Sequence, residues 1–217
     1  LLEVCRYPIK WTVSELNKTA SFADDCQESC LIEEAALDEA DLPKLAANER
    51  GSIYHLLLEK INVSGCQSVD DVTDQIKAFT DQGILKTRDT EIIDSAAIVA
   101  LFTSPLGQRM IAAPQVYREV PFTYALPARE QLDIAKEDDM LIVQGMIDAV
   151  FKEEDALVII DYKTGSRGKS EQQILATYAR QLAYYRRAIA DIWQLPVKEA
   201  YLYMIDTQQI IAVPEVI

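Results

Sequence analysis

The order in which hydrophobic periodicity changes along the chain predicts an α/β fold: helical spacing first, then three strand-like runs, then one long helix and a last strand. The strand runs are Val116–Thr123, Leu141–Phe151 and Ala156–Lys163; the long helix is Gln172–Trp193 and the last strand Glu199–Ile205. The strongest single signal is Ala156-Leu-Val-Ile-Ile160, a continuous apolar run. A strand with one face in water alternates apolar and polar residues, so an unbroken run belongs to a strand covered on both faces.

Each element can be justified in turn. Residues 1–19, with Trp11, Ser14 and Leu16, read as a lead-in and a helix start. Residues 20–48 are acidic, rich in Ala and Leu and interrupted at Pro43, and read as a mobile, helix-containing segment. Asn48-Glu-Arg-Gly51 leads into Ile53, Leu56, Leu57 and Ile61, whose spacing predicts a helix carrying His55. Val69–Gln82 and Thr90–Thr103 have helical spacing on either side of a break at Gly83. Ser104-Pro-Leu-Gly107 reads as punctuation. Pro121 marks the first strand as an edge or a bulge, because proline gives nothing to a ladder. Lys152–Asp155 is a turn, Gly165–Lys169 a basic loop, and Pro196 ends the long helix. The division expected is residues 1–49 as an acidic appendage and 50–217 as one domain, with a helical insertion at about 66–110.

With 217 residues and 49% apolar composition the chain can bury a large core. No run of about 18 apolar residues occurs that could span a bilayer, and no charged-then-apolar leader opens the chain. A chain that begins with Leu1 and stops at Val216-Ile217 reads as a piece of a longer polypeptide. Cys5, Cys26, Cys30 and Cys66 show no CxxC spacing. Cys26 and Cys30 would share a helix face, but ordinary thiols, reduced in a cytoplasmic setting, are the simpler reading.

The chemistry concentrates on the second and third strands. Side chains alternate along a strand, so Asp161 and Lys163 share a face and Tyr162 points the other way. If the strands pair as a hairpin, Asp148 comes near Asp161. One aspartate at a strand end is ordinarily a turn former or helix cap. Two carboxylates and an ammonium converging at a sheet edge instead suit a divalent metal with a cation beside it, the equipment for phosphodiester hydrolysis.

Five segments carry a family resemblance: Arg50-Gly-Ser-Ile-Tyr-His55, Arg118-Glu-Val-Pro-Phe122, Gly145-Met-Ile-Asp148, Asp161-Tyr-Lys-Thr164 and Gln181-Leu-Ala-Tyr-Tyr185. In this order, over roughly residues 50–206, they resemble the nuclease domain of RecB-type helicase–nucleases, a branch of the PD-(D/E)xK superfamily. The resemblance implies a restriction-endonuclease-like three-layer core of αβββαβ order, a mixed central sheet flanked by helices, with a helical insertion. It implies a Mg2+-dependent deoxyribonuclease, exonuclease or endonuclease, with Mn2+ also accepted. Its DNA strands would be delivered by a fused helicase working beside a nuclease/helicase partner, in double-strand break repair and recombination. Asp148, Asp161 and Lys163 would be the catalytic residues. His55, otherwise a structural histidine, would join Asp148, Asp161 and the Tyr162 backbone carbonyl around the metal; imidazole with carboxylates suits Mn2+ well and Mg2+ acceptably. Some relatives, Cas4-like stand-alone nucleases among them, carry an iron–sulfur cluster on cysteines that this chain lacks after Cys66, so no cluster is expected.

Other residues keep two readings. Glu119 either orients a metal-bound water or pairs with Arg118 or another base. Gln181 and Tyr185 share a helix face and either touch a phosphate and a sugar or pack inward. Arg167 and Lys169 either contact the DNA backbone or are solvated. The net charge of −14 opposes the basic footprint usual for a nucleic-acid binder. It is uneven, however: residues 20–50 hold nine acids and two bases, residues 161–187 six bases and two acids. The bases are expected around the site, with weak intrinsic DNA affinity. The rival class is a non-catalytic DNA- or partner-binding domain, which would be expected to lack the motif acids or lysine. No GxxxxGK[ST] motif occurs, so ATP hydrolysis is not expected.

Overall fold

A computed structural model describes residues 10–13, 42–128 and 139–215. In chain order its elements are β1 (Lys10–Thr12), α1 (Leu42–Lys60), a 3-10 turn (Val63–Gly65), α2 (Val69–Asp81), α3 (Thr87–Thr90), α4 (Ser95–Thr103), α5 (Pro105–Ala112), β2 (Val116–Pro127), β3 (Met140–Glu153), β4 (Ala156–Lys163), α6 (Glu171–Trp193), β5 (Val197–Met204) and β6 (Gln209–Ala212). The expectations placed on Ser14, Leu16, Cys5, Cys26, Cys30 and most of the acidic stretch lie outside the described residues. Cys66 is a buried free thiol.

Among the described residues, six strands form one mixed sheet. β2 pairs antiparallel with β3 from Val116↔Phe151 to Pro127↔Met140. The other edge of β3 is divided: β4 pairs with it antiparallel from Ala149↔Ile160 to Glu153↔Ala156, and β1 pairs parallel from Lys10↔Ile142 to Thr12↔Gln144. β5 lies parallel to β4 and β6 antiparallel to β5. Parallel neighbours need a crossover, and α6 supplies it between β4 and β5.

The apolar run of β4 is covered on both faces, as its composition predicts. Leu157 and Ile159 pack with Leu182, Tyr185 and Ile189 of α6. Val158, Ile160 and Tyr162 pack with Tyr54 and Leu57 of α1 and with Ile98 and Phe102 of α4. The result is an α/β fold of three layers, with α6 on one face of the sheet and the α1–α5 helices on the other.

Three sequence readings are corrected. Ser104-Pro-Leu-Gly107 is not mere punctuation but the start of α5: the Gly107 N–H donates to Ser104 Oγ at 3.0 Å and Pro105 stands in the first turn, where its missing N–H costs nothing. A Cβ on Gly107 would lie 2.1 Å from the Leu101 carbonyl oxygen, so only glycine lets α5 fold back on α4. Pro43 likewise belongs to the start of α1 rather than to a break. The helix expected from Thr90 begins at Ser95, where Asp94 caps it through the Ala96 N–H at 3.0 Å. The strands β1 and β6 stand outside the elements that the periodicity predicts.

Candidate metal centre

The site lies where β3 parts from β4. Continuing their register would set Asp148 opposite Asp161, but the ladder stops at Ala149↔Ile160. The Asp148 carboxylate replaces the missing pairing: its Oδ2 accepts the Tyr162 N–H at 2.6 Å. On the β2 side, Glu119 would face Asp148, and this position is skipped between Arg118↔Ala149 and Val120↔Ile147. Glu119 has φ 49, a left-handed conformation unusual for a residue with a side chain. The apolar pattern changes sheet face here. Val116 packs on the α1 side of the sheet, Val120 and Phe122 on the α6 side. On β3, Ile147 belongs to the α6 side and Ala149 and Phe151 to the α1 side.

α1 brings His55 to this irregularity. Its Nδ1 lies 3.3 Å from Asp148 Oδ1 and 3.6 Å from Glu119 Oε1. The three ligand atoms lie within 4.8 Å of one another. Burial works against a charged imidazole, yet hydrogen bonds to Asp148 and Glu119 outweigh it and raise His55 to about 10. The helix is secured by Arg118, which donates to the Leu58 and Ile61 carbonyls at 3.2 and 2.5 Å, partners for the orphan acceptors of a helix end. Both neighbours thus reach α1, Arg118 at its carbonyl end and Glu119 at His55.

Asp161 and Lys163 form a second group beside the first. Asp161 is 1% exposed and lies 2.7 Å from Lys163 Nζ. Its carboxylate oxygens accept no hydrogen bond of good geometry. Burial, with Asp148 nearby and Lys163 opposing, raises its carboxyl to about 6. Burial disfavours the charge on Lys163, but Asp161 and Asp148 raise it overall, and Nζ lies 5.3 Å from the Tyr178 ring centroid. Asp161 does not join the mutually close atoms of His55, Glu119 and Asp148.

Gly145 opens the Gly-x-x-Asp segment for a packing reason. Phe122 is its cross-strand partner, and a Cβ on Gly145 would lie 2.6 Å from the Phe122 ring. That ring meets Tyr185 edge-on at 5.6 Å, and the Tyr185 hydroxyl accepts from Gln181 Nε2 at 2.7 Å. Both α6 residues are buried, with Tyr185 close enough to Asp161 and Asp148 that they, after burial, raise its hydroxyl. Arg167 and Lys169 are exposed on the loop after β4. The expectation that the six bases surround the site is corrected for Arg186, which donates to the Val197 and Val213 carbonyls at 3.3 and 2.9 Å and so ties α6 to the β5–β6 side. Sequence reasoning missed Tyr178 and gave no role to Arg50, the first residue of the His55 segment; both line a cleft of roughly 490 Å³ with His55, Tyr162, Lys163 and Gly165.

The residues present fit a divalent cation. One imidazole nitrogen and two carboxylates converge, and of the buried Asp161 oxygens beside them Oδ2 meets the Lys163 ammonium while Oδ1 has no partner. Oxygen-rich sets with one nitrogen suit Mg2+ or Mn2+. Such a group sits at the split between two strands of a mixed sheet with helices on both faces. The chain belongs to the PD-(D/E)XK nuclease superfamily, whose model matches residues 29–215.

Within that superfamily it is similar to proteins named as the A subunit of an ATP-dependent helicase/nuclease. The protein of this name from Geobacillus thermodenitrificans is 36% identical over 179 residues, 78% of this chain and 14% of that protein. The one from Alkaliphilus oremlandii is 33% identical over 208 residues, 93% of this chain and 17% of that protein. The chain thus spans less than a fifth of the length of these relatives. No helix among the described residues is long and apolar enough to cross a membrane.

Proposed function

We propose that this chain is the catalytic nuclease domain of a helicase–nuclease and hydrolyses DNA phosphodiester bonds with a divalent cation, Mg2+ or Mn2+. The observation that carries the reading is the meeting of His55, Glu119 and Asp148 within 4.8 Å, beside the buried Asp161–Lys163 pair. Asp148, Asp161, His55 and the Tyr162 carbonyl would hold the ion, with Glu119 as a further ligand or as the orienter of a water. A bound ion would supply Lewis acidity and an acidified water.

The protein's own groups do the rest. Lys163 directs its N–H donors at the attacking water and at the charge growing on the phosphoryl oxygens. Gln181, fixed through Tyr185, has a second amide N–H for a phosphate oxygen. Arg167 and Lys169 offer charge to the DNA backbone. We further propose the division into residues 1–49 and 50–217, DNA strands delivered by a helicase that works with a nuclease/helicase partner, a cytoplasmic setting, and a role in break repair and recombination. The names of the relatives, which speak of a helicase/nuclease and of a subunit, support the helicase and the partner.

The test is cleavage of end-labelled single- and double-stranded DNA with Mg2+, Mn2+ or EDTA. The chain should cut only with a cation, and Asp161→Ala should not cut. Lys163→Ala should lose about 10²–10³ in turnover, the usual effect of removing one such donor, while its Mn2+ affinity by calorimetry stays within a few fold. Lys163→Arg should rescue incompletely, because a planar guanidinium reaches elsewhere. DNA binding with no cleavage by a chain that binds Mn2+ would leave the non-catalytic rival standing instead.

A further inference from the structure

Asp206, just after β5, has a side chain only 2% exposed and lies far in sequence from every motif segment. One of its oxygens meets the Arg50 guanidinium. The other accepts two backbone N–H groups, from Gly165 and, at 3.2 Å, from Ser166. Arg50 stands little more than a turn before His55 on α1 and also covers the Tyr54 ring at 5.5 Å. Gly165 and Ser166 open the loop that leaves β4 directly after Lys163, and Gly165 takes the left-handed turn there at φ 78. The Lys163 carbonyl accepts the Ile205 N–H at 2.9 Å, which fixes the same strand end from the β5 side. Burial pushes the Asp206 carboxyl up, but Arg50 and the two amides outweigh it and hold the group ionised.

We infer that Asp206 and Arg50 are a positioning pair: they set the helix that carries His55 against the strand end that carries Asp161 and Lys163, so that donors from both reach one ion. This rests on the metal reading of the site. The physical reason is the sharing of one buried carboxylate. Its charge is compensated only when α1 and the loop after β4 sit together, and displacing either leaves a buried charge without its partners, which is far costlier than breaking a surface ion pair.

The test uses the only histidine. With 15N-histidine labelling the full 217-residue chain gives the ring signals of a single imidazole, and their broadening during Mn2+ titration reports an ion close to His55, without any need for cleavage. In Asp206→Ala the Mn2+ concentration for half-broadening should rise about tenfold or more, the scale for losing groups that orient a metal ligand. Asp206→Asn, which can still accept the amides, should show a smaller rise, and Arg50→Gln a rise in the same direction. A merely structural pair would lower thermal stability and leave the Mn2+ concentration unchanged. That result in Arg50→Gln and Asp206→Asn overturns the inference, and these variants decide the matter should Asp206→Ala not fold. A wild-type signal indifferent to Mn2+ would overturn the metal reading and this inference together. A responsive wild type with equally responsive variants overturns this inference alone.

Discussion

Asp148 is bonded to the backbone of Tyr162: its Oδ2 accepts that N–H at 2.6 Å, and its Oδ1 is left facing His55 at 3.3 Å. One carboxylate thus closes the gap between the two motif strands and offers an oxygen to the site. The two duties can be separated by mutation. Asp148→Asn keeps an oxygen for the Tyr162 N–H, so unfolding stability should stay within about 1 kcal/mol while Mn2+ affinity collapses. Asp148→Ala leaves the N–H orphaned in a buried place and should cost about 1–3 kcal/mol, partly offset by relief of Asp161 from a like charge. Urea denaturation with Mn2+ calorimetry checks both. An Asp148→Ala chain as stable as wild type and still binding Mn2+ would refute the assignment.

His55 sets the pH dependence of metal uptake. Its carboxylate neighbours hold the imidazole charged up to about 10 in the metal-free protein. A cation at that nitrogen must displace the proton, so binding releases about one proton and apparent affinity rises with pH through the neutral range. The sign follows from the raised value: the lower the pH, the more firmly the proton competes. Calorimetry in two buffers of different ionisation enthalpy measures the proton count. A count near zero at about pH 7 would mean that His55 is not a ligand.

Gly145 is a steric requirement with a route to the site. Gly145→Ala places a Cβ against the Phe122 ring, and the displaced ring must push on Tyr185 and its bond to Gln181. Overpacking of this kind costs about 1–3 kcal/mol. Phe122→Leu added to Gly145→Ala should recover part of the loss in urea unfolding. No recovery would show that the ring is not the obstacle.

A second pH dependence lies far from the metal centre. Glu153 at the β3 end takes Arg109 of α5 in a paired contact, Nε–Oε1 2.9 Å and Nη2–Oε2 2.7 Å, and Lys198 at 2.7 Å. Arg109 above all, with Lys198 and against a smaller effect of burial, lowers its carboxyl from 4.5 to about 2. A depressed carboxyl contributes stability that is present above its unfolded value and lost as pH falls through its folded one. The gap in unfolding midpoint between wild type and Glu153→Gln should therefore be full above pH 4.5 and shrink toward pH 2. A gap that does not change with pH would exclude the linkage.

What can be read in the sequence is local or strongly periodic. Ala156–Lys163 matches β4 end for end, and Gln172–Trp193 falls one residue short of α6, because an unbroken apolar run and a capped amphipathic helix each carry their signal within one segment. Asp148, Asp161 and Lys163 can be singled out for the same reason. Ser104-Pro105 holds the signal of a helix start, a capping hydroxyl before proline, which the more general link of proline with turns obscures. The role of Glu119 as a neighbour of His55 depends on a left-handed backbone that no residue type announces. Arg50 and Asp206 meet only in space: Arg50 opens the segment that carries His55, but nothing in that segment or in Ile-Asp-Thr announces their pairing.

The change of sheet face at Glu119 and Asp148 has a consequence for how the molecule comes apart. In most layered sheets a strand gives alternate side chains to each core along its whole length. Here β2 and β3 do so only in part: Phe122 and Leu126 of β2 and Leu141, Val143 and Ile147 of β3 serve the core under α6, whereas past the metal centre Val116, Ala149 and Phe151 serve the core under α1 and α4 and Val150 stays in the core under α6. The same two strands wall both cores, and their share in the core under α1 begins only past the metal centre. Neither core can melt and leave the other with complete walls, so the domain is bound to unfold as one cooperative body. The hinge of that cooperativity is also the place where the chemistry would occur.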